Sequence, residues 1–453
     1  MKLHDSDLDL IRKYDRPGPR YTSYPTALHF SAEADRDDLI AGTTADSGPL
    51  SLYFHIPYCE SLCWFCGCHT IITKAHDRSD GYLDLIEKEI ALLASRLRPE
   101  REVVQIHFGG GTPNFLDPEQ IARIGALIRE TFCVEDGAEF GIEMDPRHLT
   151  REHIAAFAEI GANRASFGVQ DCNPEVQKAI HRVQSGKMNR DAIAWIREFG
   201  YGSLNIDLIY GLPKQSVESF SQTLDEVIGY GPDRFAVFNY AHVPNMKPAQ
   251  KILERATLPT PELKLQLLQL IIEKLTSAGY VYIGMDHFAK DGDELAVAQK
   301  NRTLQRNFQG YSTKAGVEIC GFGVSSISQT SGAYRQNLKA ESDYRAALEN
   351  GVLPIDRGYV LSEDDRIRRE TIMRMMCDLG IVYEEMSARL EIDFETYFSD
   401  ALQGLQEMAN DGLLTQNSTG FEITELGRLF IRNIAMHFDA YLNVHRDRYS
   451  RTV

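Results

Sequence analysis

From Leu50 onward, short β-branched and aromatic runs alternate with longer amphipathic ones, and this rhythm restricts the fold more than any other feature of the chain. The runs Leu52–Ile56, Val103–Phe108, Glu139–Met144, Arg164–Val169, Ser203–Ile209 and Arg234–Tyr240 read as strands. Helical patterns over Gly81–Leu97, Pro118–Phe132, Arg151–Ile160, Lys187–Phe199, Ser216–Tyr230 and Glu262–Ala278 fill the intervals and follow the last strand. Strict alternation of this kind calls for a parallel sheet with right-handed crossovers, open and doubly wound or closed toward a barrel. No break in strand order is legible, which favours a partial barrel, and working residues are then expected at the C-terminal strand ends.

Beyond Asp286-His287-Phe288 the alternation is expected to stop. Leu295–Arg306 reads as a polar helix, and helical patterns follow at Asp364–Cys377, Asp393–Asp411 and Leu426–Tyr441. Ahead of the first strand no long periodic segment is apparent, and Arg16-Pro17-Gly18-Pro19-Arg20-Tyr21-Thr22-Ser23-Tyr24-Pro25 should lie extended. Such an arm suits either a ligand contact or a structural clamp. The expected division is an N-terminal arm over 1–45, a catalytic domain over 46–285 and a mainly helical C-terminal domain over 286–453.

Four of the eight cysteines fall between Cys59 and Cys68, directly after the first strand. Thiolates this crowded repel one another unless a cation holds them, and iron–sulfur clusters or zinc are the usual cations. A structural zinc site generally splits its ligands into two separated pairs, and no second C-x-x-C is present. Three thiolates on one loop suit three corners of a four-iron cubane, leaving the fourth iron open to a ligand. Cys133, Cys172, Cys320 and Cys377 are scattered and read as buried small hydrophobes. Gly109-Gly110-Gly111-Thr112-Pro113 removes every Cβ from a strand-to-helix turn, allowing close approach of a ligand or simply tight packing. Glu143 and Asp145 share one face of the third strand and need partners if buried, either a ligand or an arginine such as Arg164. Asp207, at a strand end, suits a cationic partner or a helix N-cap.

The net charge of −17 argues against nucleic acid and anionic membrane as partners. No apolar run is long enough to span a bilayer, and the polar, acidic N-terminus is unlike a signal peptide, so a cytoplasmic location is expected.

The spacing C-x-x-x-C-x-x-C over Cys59, Cys63 and Cys66, with Phe65 before the third cysteine, resembles the radical S-adenosylmethionine (SAM) superfamily. Further segments narrow the likeness: Arg20–Thr26, Cys66-Gly67-Cys68, Asn205–Pro213, Phe238–His242, Gly284–Phe288 and Asn307–Tyr311. Together they resemble the oxygen-independent coproporphyrinogen III oxidase family over nearly the whole chain.

The resemblance implies an α/β fold, a radical SAM partial (β/α)6 barrel with an extended N-terminal arm and a mainly helical C-terminal domain. It implies a 4Fe-4S cluster on Cys59, Cys63 and Cys66 and two SAM molecules. Tyr53, Gly110, Glu143 and Ile327 would contact the first SAM; Phe65, Gly111, Thr112, Gln170, Arg182, Asp207 and Ala241 would contact the second. No catalytic side chain beyond the cluster and SAM is implied, and Cys68 has no derived role. The implied reaction is oxygen-independent oxidative decarboxylation of two propionates of coproporphyrinogen III to vinyl groups, giving protoporphyrinogen IX. In it, a 5′-deoxyadenosyl radical generated from SAM takes hydrogen from the propionate β-carbon. The implied partners are coproporphyrinogen III and an electron donor such as a flavodoxin-type reductant, with a monomer expected.

A tetracarboxylate substrate on an acidic chain requires local basic groups. Arg16 and Arg20 on the arm are the first candidates and Arg446, Arg448 and Arg451 in the tail the second, against a frayed terminus. The rivals are a haem chaperone of the same superfamily and another two-SAM radical enzyme. Cys68 and the Arg-Tyr-Thr-Ser-Tyr-Pro arm favour the oxidase over the chaperone.

Overall fold

The structure, a computed structural model, describes residues 5–45, 47–255, 257–442, 444, 449 and 451–452. Six parallel strands form its centre: β1 (Leu50–Ile56), β2 (Glu102–Gly110), β3 (Cys133–Met144), β4 (Arg164–Gln170), β5 (Ser203–Tyr210) and β6 (Arg234–Asn239). Each pairs with the next in chain order, as a partial (β/α)6 barrel requires. Helices Arg78–Ala94, Pro118–Thr131, Arg151–Glu159, Gly186–Glu198 and Val217–Gly229 make the crossovers, and Pro261–Ser277 follows β6.

The strands face two ways, and their alternation is what places the site. Phe54 of β1 stacks on Phe108 of β2 at 4.8 Å, and Phe108 meets Phe140 of β3 and Phe157 of a crossover helix. The residues between them, Tyr53, His55 and His107, point the other way, into the barrel. Helix starts are fixed locally. Asp117 and Gln120 form a reciprocal capping box, and Ser216 caps its helix through the Ser219 amide.

The sheet does not end at β6. It gains β7 (Tyr280–Gly284) and β8 (His287–Lys290) on one side, and β9 (Glu318–Phe322), β10 (Ile327–Gln329), β11 (Ala333–Asn337) and β12 (Ile355–Val360) on the other. The order is β12-β11-β10-β9-β1-β2-β3-β4-β5-β6-β8-β7, with β9 parallel to β1 and β8 antiparallel to β6. Position 285 therefore lies inside the sheet, in the tight connection between β7 and β8.

Several expected elements differ. The polar helix near 295 spans only Glu294–Lys300, because Gln305–Asn307 pairs with Gly310–Ser312 as a hairpin. Asp393–Asp411 is three short helices, Phe394–Tyr397, Ser399–Gly404 and Gln406–Asn410, and Leu426–Tyr441 is likewise broken. A three-stranded sheet (Gly380–Val382, Leu414–Asn417, Gly420–Ile423) accompanies these C-terminal helices. Ahead of β1, where the sequence shows no long periodic segment, two ten-residue helices, Asp5–Tyr14 and Arg36–Ala45, flank the arm. Cys320 and Cys377 are buried as expected, whereas Cys133 is exposed and Cys172 only half-buried. Among the described residues no helix is long and apolar enough to cross a membrane.

The arm is a clamp through its tyrosines. Tyr21 and Tyr24 are fully buried; Tyr21 donates to Asp439 at 3.0 Å, and Tyr24 accepts the Ala440 amide at 3.0 Å.

Candidate active site

At the C-terminal edge of β1 the chain turns into the cysteine loop. A two-residue parallel bridge, Tyr58–Cys59 with Ile71–Ile72, closes the loop at its base. Its tip is pinned from the β4–β5 connection. The Trp64 amide donates to the Ile180 carbonyl at 3.0 Å, and the Trp64 ring stacks on His181 at 5.0 Å. Cys59, Cys63 and Cys66 line one cleft of about 150 Å³, together with Phe65, Gly110, Gly111, Glu143, Gln170, Arg182 and Asp207. Ten of the residues expected to hold the cluster or SAM thus meet at one place, with Cys68 and Asp145 beside them.

Cys63 sits in an electropositive corner. Arg147 Nη2 donates to Cys63 Sγ at 3.3 Å, and Arg182 Nη1 approaches the same sulfur at 3.6 Å. Asp145 lies between the two guanidiniums, bonded to Arg147 Nε at 3.0 Å and to Arg182 Nη1 at 3.1 Å. Burial would raise the Asp145 carboxyl, but Arg182 and Arg147 outweigh it and hold the group well below the usual carboxylate range. Burial, followed by the neighbouring Cys66, pushes the Cys59 thiol up to about 12. The hydrogen bond with Cys68 draws Cys66 down, and the Cys68 amide also donates to Cys66 Sγ at 3.4 Å.

The glycine turn explains itself by contacts. A Cβ on Gly111 would lie 2.6 Å from the carbonyl oxygens of Pro57 and Tyr58, and Gly110 has φ +113° against the His55 imidazole. The Gly111 amide donates to Ile56 O and the Thr112 amide to Tyr58 O, so the turn is laced to the start of the cysteine loop. The Thr112 hydroxyl is spent on Asn114 and on the Asp145 amide.

Glu143 takes neither Asp145's partners nor Arg164. Its carboxylate meets His107 Nε2 at 3.0 Å, while half of its side-chain surface stays open. Burial opposes its charge, but His107 prevails and keeps the carboxyl below its ordinary value. Arg164 is engaged instead by Glu139 and Glu294. Tyr53 stacks on His107, and its hydroxyl meets His55 Nδ1 at 3.1 Å, one layer behind the cleft. Asp207 caps no helix: it accepts from Asn205 Nδ2 at 2.7 Å within β5, and burial followed by Glu143 raises its carboxyl to about 7. Below the cleft, Glu143, Ser166 and Asp207 also line an inner cavity of about 200 Å³.

The remaining sequence candidates lie elsewhere. Ala241 lines a neighbouring cavity, linked to the cleft because Gln250 Nε2 donates to both its carbonyl and that of Phe65. Ile327 on β10 packs beside Phe30 and Tyr334. Arg16 binds Thr452 through its backbone, whereas Arg20 faces the Ala241 cavity and pairs with Asp286. Arg446 and Arg448 lie outside the described residues; Arg451 pairs with Asp15.

A Radical SAM superfamily model matches residues 53–227, and a HemN C-terminal domain model matches residues 361–430. The oxygen-independent coproporphyrinogen III oxidase of Pseudomonas aeruginosa is 45% identical over 99% of this chain and 98% of its own length. That of Helicobacter pylori is 44% identical over 99% of both chains. The chain belongs to the oxygen-independent coproporphyrinogen III oxidase family. The solved structure of the Escherichia coli coproporphyrinogen III oxidase (HemN), described there as a radical SAM enzyme, superposes with a TM-score of 0.92 at 44% identity, covering 96% of this chain and 99% of that one.

Membership in a radical SAM family implies a 4Fe-4S cluster and SAM, and the residues present fit both. Three thiols line one cleft beside two guanidiniums, which suits thiolates held by a cationic centre. Among the described residues no three His, Cys, Asp or Glu side chains gather as closely as a single metal ion requires. A cluster spreads its ligands over separate corners. Gln170, at φ +66° on the end of β4, aims a buried Oε1 with no protein partner, and Arg182 Nε is likewise unpaired, so polar capacity is left for a ligand.

Sequence reasoning missed Arg147 and His107. Arg147 follows Asp145-Pro146 at a strand end, and His107 alternates with Gln105 on the barrel face of β2. Both signals were present but needed a partner residue to acquire meaning.

Proposed function

We infer that this chain carries out oxygen-independent oxidative decarboxylation of two propionates of coproporphyrinogen III, giving protoporphyrinogen IX. The observation that carries the reading is the meeting of Cys59, Cys63 and Cys66 with the glycine turn, Glu143, Gln170 and Asp207 in one cleft at the C-terminal strand ends. Full-length kinship to coproporphyrinogen III oxidases supports the choice of substrate.

Cys59, Cys63 and Cys66 would hold the cluster. When bound, the cluster and SAM supply one-electron cleavage of the sulfonium and, from it, a radical able to take hydrogen from an unactivated carbon. Arg147 and Arg182 stabilise thiolate charge at Cys63. Tyr53, Gly110 and Glu143 serve the first SAM: the glycine backbone allows close approach, and the open Glu143 carboxylate accepts an ammonium. Phe65, Gly111, Gln170, Arg182 and Asp207 serve the second, with Asp207 as a carboxylate facing positive charge. Thr112 acts from behind by holding the Asp145 amide. Ala241 is assigned to the second SAM and Ile327 to the first on the family resemblance alone. Arg20 and Arg16 on the arm meet substrate carboxylates. The working form is a cytoplasmic monomer reduced by a flavodoxin-type donor.

Anaerobic incubation of the reconstituted protein with coproporphyrinogen III, SAM and a reductant tests this. Protoporphyrinogen IX, read as fluorescence of the oxidised porphyrin, is expected. Haem binding and transfer without turnover would place the chain among the chaperones instead.

A further inference from the structure

The chain carries a net charge of −17, yet one cavity of about 280 Å³ is lined by six cations and two carboxylates. The cations are Arg12, Arg20, Lys264, Arg428, Arg432 and Arg451, and the carboxylates are Asp15 and Asp286. Both carboxylates are spoken for, Asp286 by Arg20 and Asp15 by Arg451, while Arg12 pairs outside with Asp9. Among the described residues no carboxylate pairs with Lys264, Arg428 or Arg432. Arg432 is 6% exposed and donates only to carbonyls, including Pro19 O at 2.8 Å. Arg428 donates to Tyr282 O at 3.1 Å, and its buried Nε has no acceptor. The Lys264 ammonium has neither an ion-pair nor a hydrogen-bond partner among the described residues.

Uncompensated cations in a partly enclosed site are costly unless an anion joins them. The remaining wall is apolar, with Ile11, Leu265, Leu268, Leu429 and Ile431. The combination suits an apolar molecule bearing carboxylates. The volume lies just under the range of small-ligand pockets, roughly 300–1,000 Å³, and suits one acid-bearing edge of a larger molecule. Its position links it to the cysteine cleft: Tyr210 and Asn239 end β5 and β6, and Ala241 shares the Gln250 amide with Phe65.

We propose that this cavity anchors a non-reacting propionate of the tetracarboxylate substrate, with the Lys264 ammonium as its direct contact and Arg428 beside it. The assignment rests on the function inferred above. A carboxylate held at Lys264 fixes one edge of the macrocycle, so this anchor would set which side chain is left to face the reacting centre.

The test is binding of coproporphyrin III, the stable oxidised tetracarboxylate, to the reconstituted protein by fluorescence titration. Losing one charge-assisted contact is expected to weaken binding about tenfold or more in Lys264→Gln. Lys264→Arg should stay within about threefold of the parent, and Arg428→Gln, a second variant at a separate element, should also weaken binding. Parent-like affinity in both Lys264→Gln and Arg428→Gln would overturn the anchor alone. A parent protein that binds no coproporphyrin III would overturn both the anchor and the function on which it rests.

Discussion

Arg147 Nη2 donates to Cys63 Sγ at 3.3 Å while the same guanidinium chelates Asp145. A cationic donor on a thiolate sulfur stabilises negative charge there, so with Cys63 as the proposed cluster ligand Arg147 would tune the cluster. Arg147→Met is expected to shift the cluster's midpoint potential downward and to lower turnover about 10–100-fold, the usual scale for groups supporting a metal ligand. Potentiometry checks it; an unchanged potential would remove Arg147 from this role.

The same cluster of charges predicts a pH dependence. Asp145, Arg147 and Arg182 have side chains 10%, 11% and 8% exposed, so removing the carboxylate strands two buried cations. Asp145→Asn is expected to cost about 3–5 kcal/mol at neutral pH. Because the folded carboxyl is depressed by its arginines, its contribution is fully present above the unfolded value of ~3.9 and is lost as pH falls below it. Melting curves of parent and variant should therefore diverge most at neutral pH and converge in acid.

Gly111 tests the lacing of the turn to the cysteine loop. An added Cβ would stand 2.6 Å from two backbone oxygens, which cannot swing aside as a side chain would. Gly111→Ala should lose about 1–3 kcal/mol of stability and bind less iron after reconstitution. Gly67→Ala, whose Cβ meets nothing within 4 Å, should match the parent in melting temperature.

Within the loop the four cysteines divide by contact. Cys68 is exposed and touches Cys66 through its backbone amide, which survives side-chain replacement, and through its thiol, a contact that a serine hydroxyl can keep. Cys68→Ser should keep full iron and sulfide content, whereas Cys59→Ser, Cys63→Ser and Cys66→Ser should each lose the cluster absorbance. Loss of iron in Cys68→Ser would make it a fourth ligand.

How much of this was legible in the chain depends on the range of the determining contact. The βα alternation is local: Phe54 and Phe108 stack across register neighbours, and the hydrophobic period alone places them. The cysteine spacing and the glycine turn are equally local. What stayed hidden depends on distant partners. The competition between His107 and Arg164 for Glu143 is decided by register across β2 and β3, which sequence does not state. Strands β9 to β12 fall outside the βα rhythm, and β9 pairs with β1 from far along the chain, so their place in the sheet comes from tertiary pairing and not from pattern. On the arm, Tyr21 and Tyr24 act as the clamp, while Arg20 lines the basic cavity, a placement that only distant partners decide. The basic cavity was invisible because Lys264, Arg428 and Arg432 come from segments well over a hundred residues apart at the extreme.

The most direct test of the central claim is a carbon dioxide count from carboxyl-labelled coproporphyrinogen III under anaerobic, reducing conditions with SAM. The expected result is two carbon dioxide molecules released per protoporphyrinogen IX formed by the reconstituted parent and none by Cys63→Ala. Equal release by Cys63→Ala, or no release by a fully reconstituted parent, would contradict it.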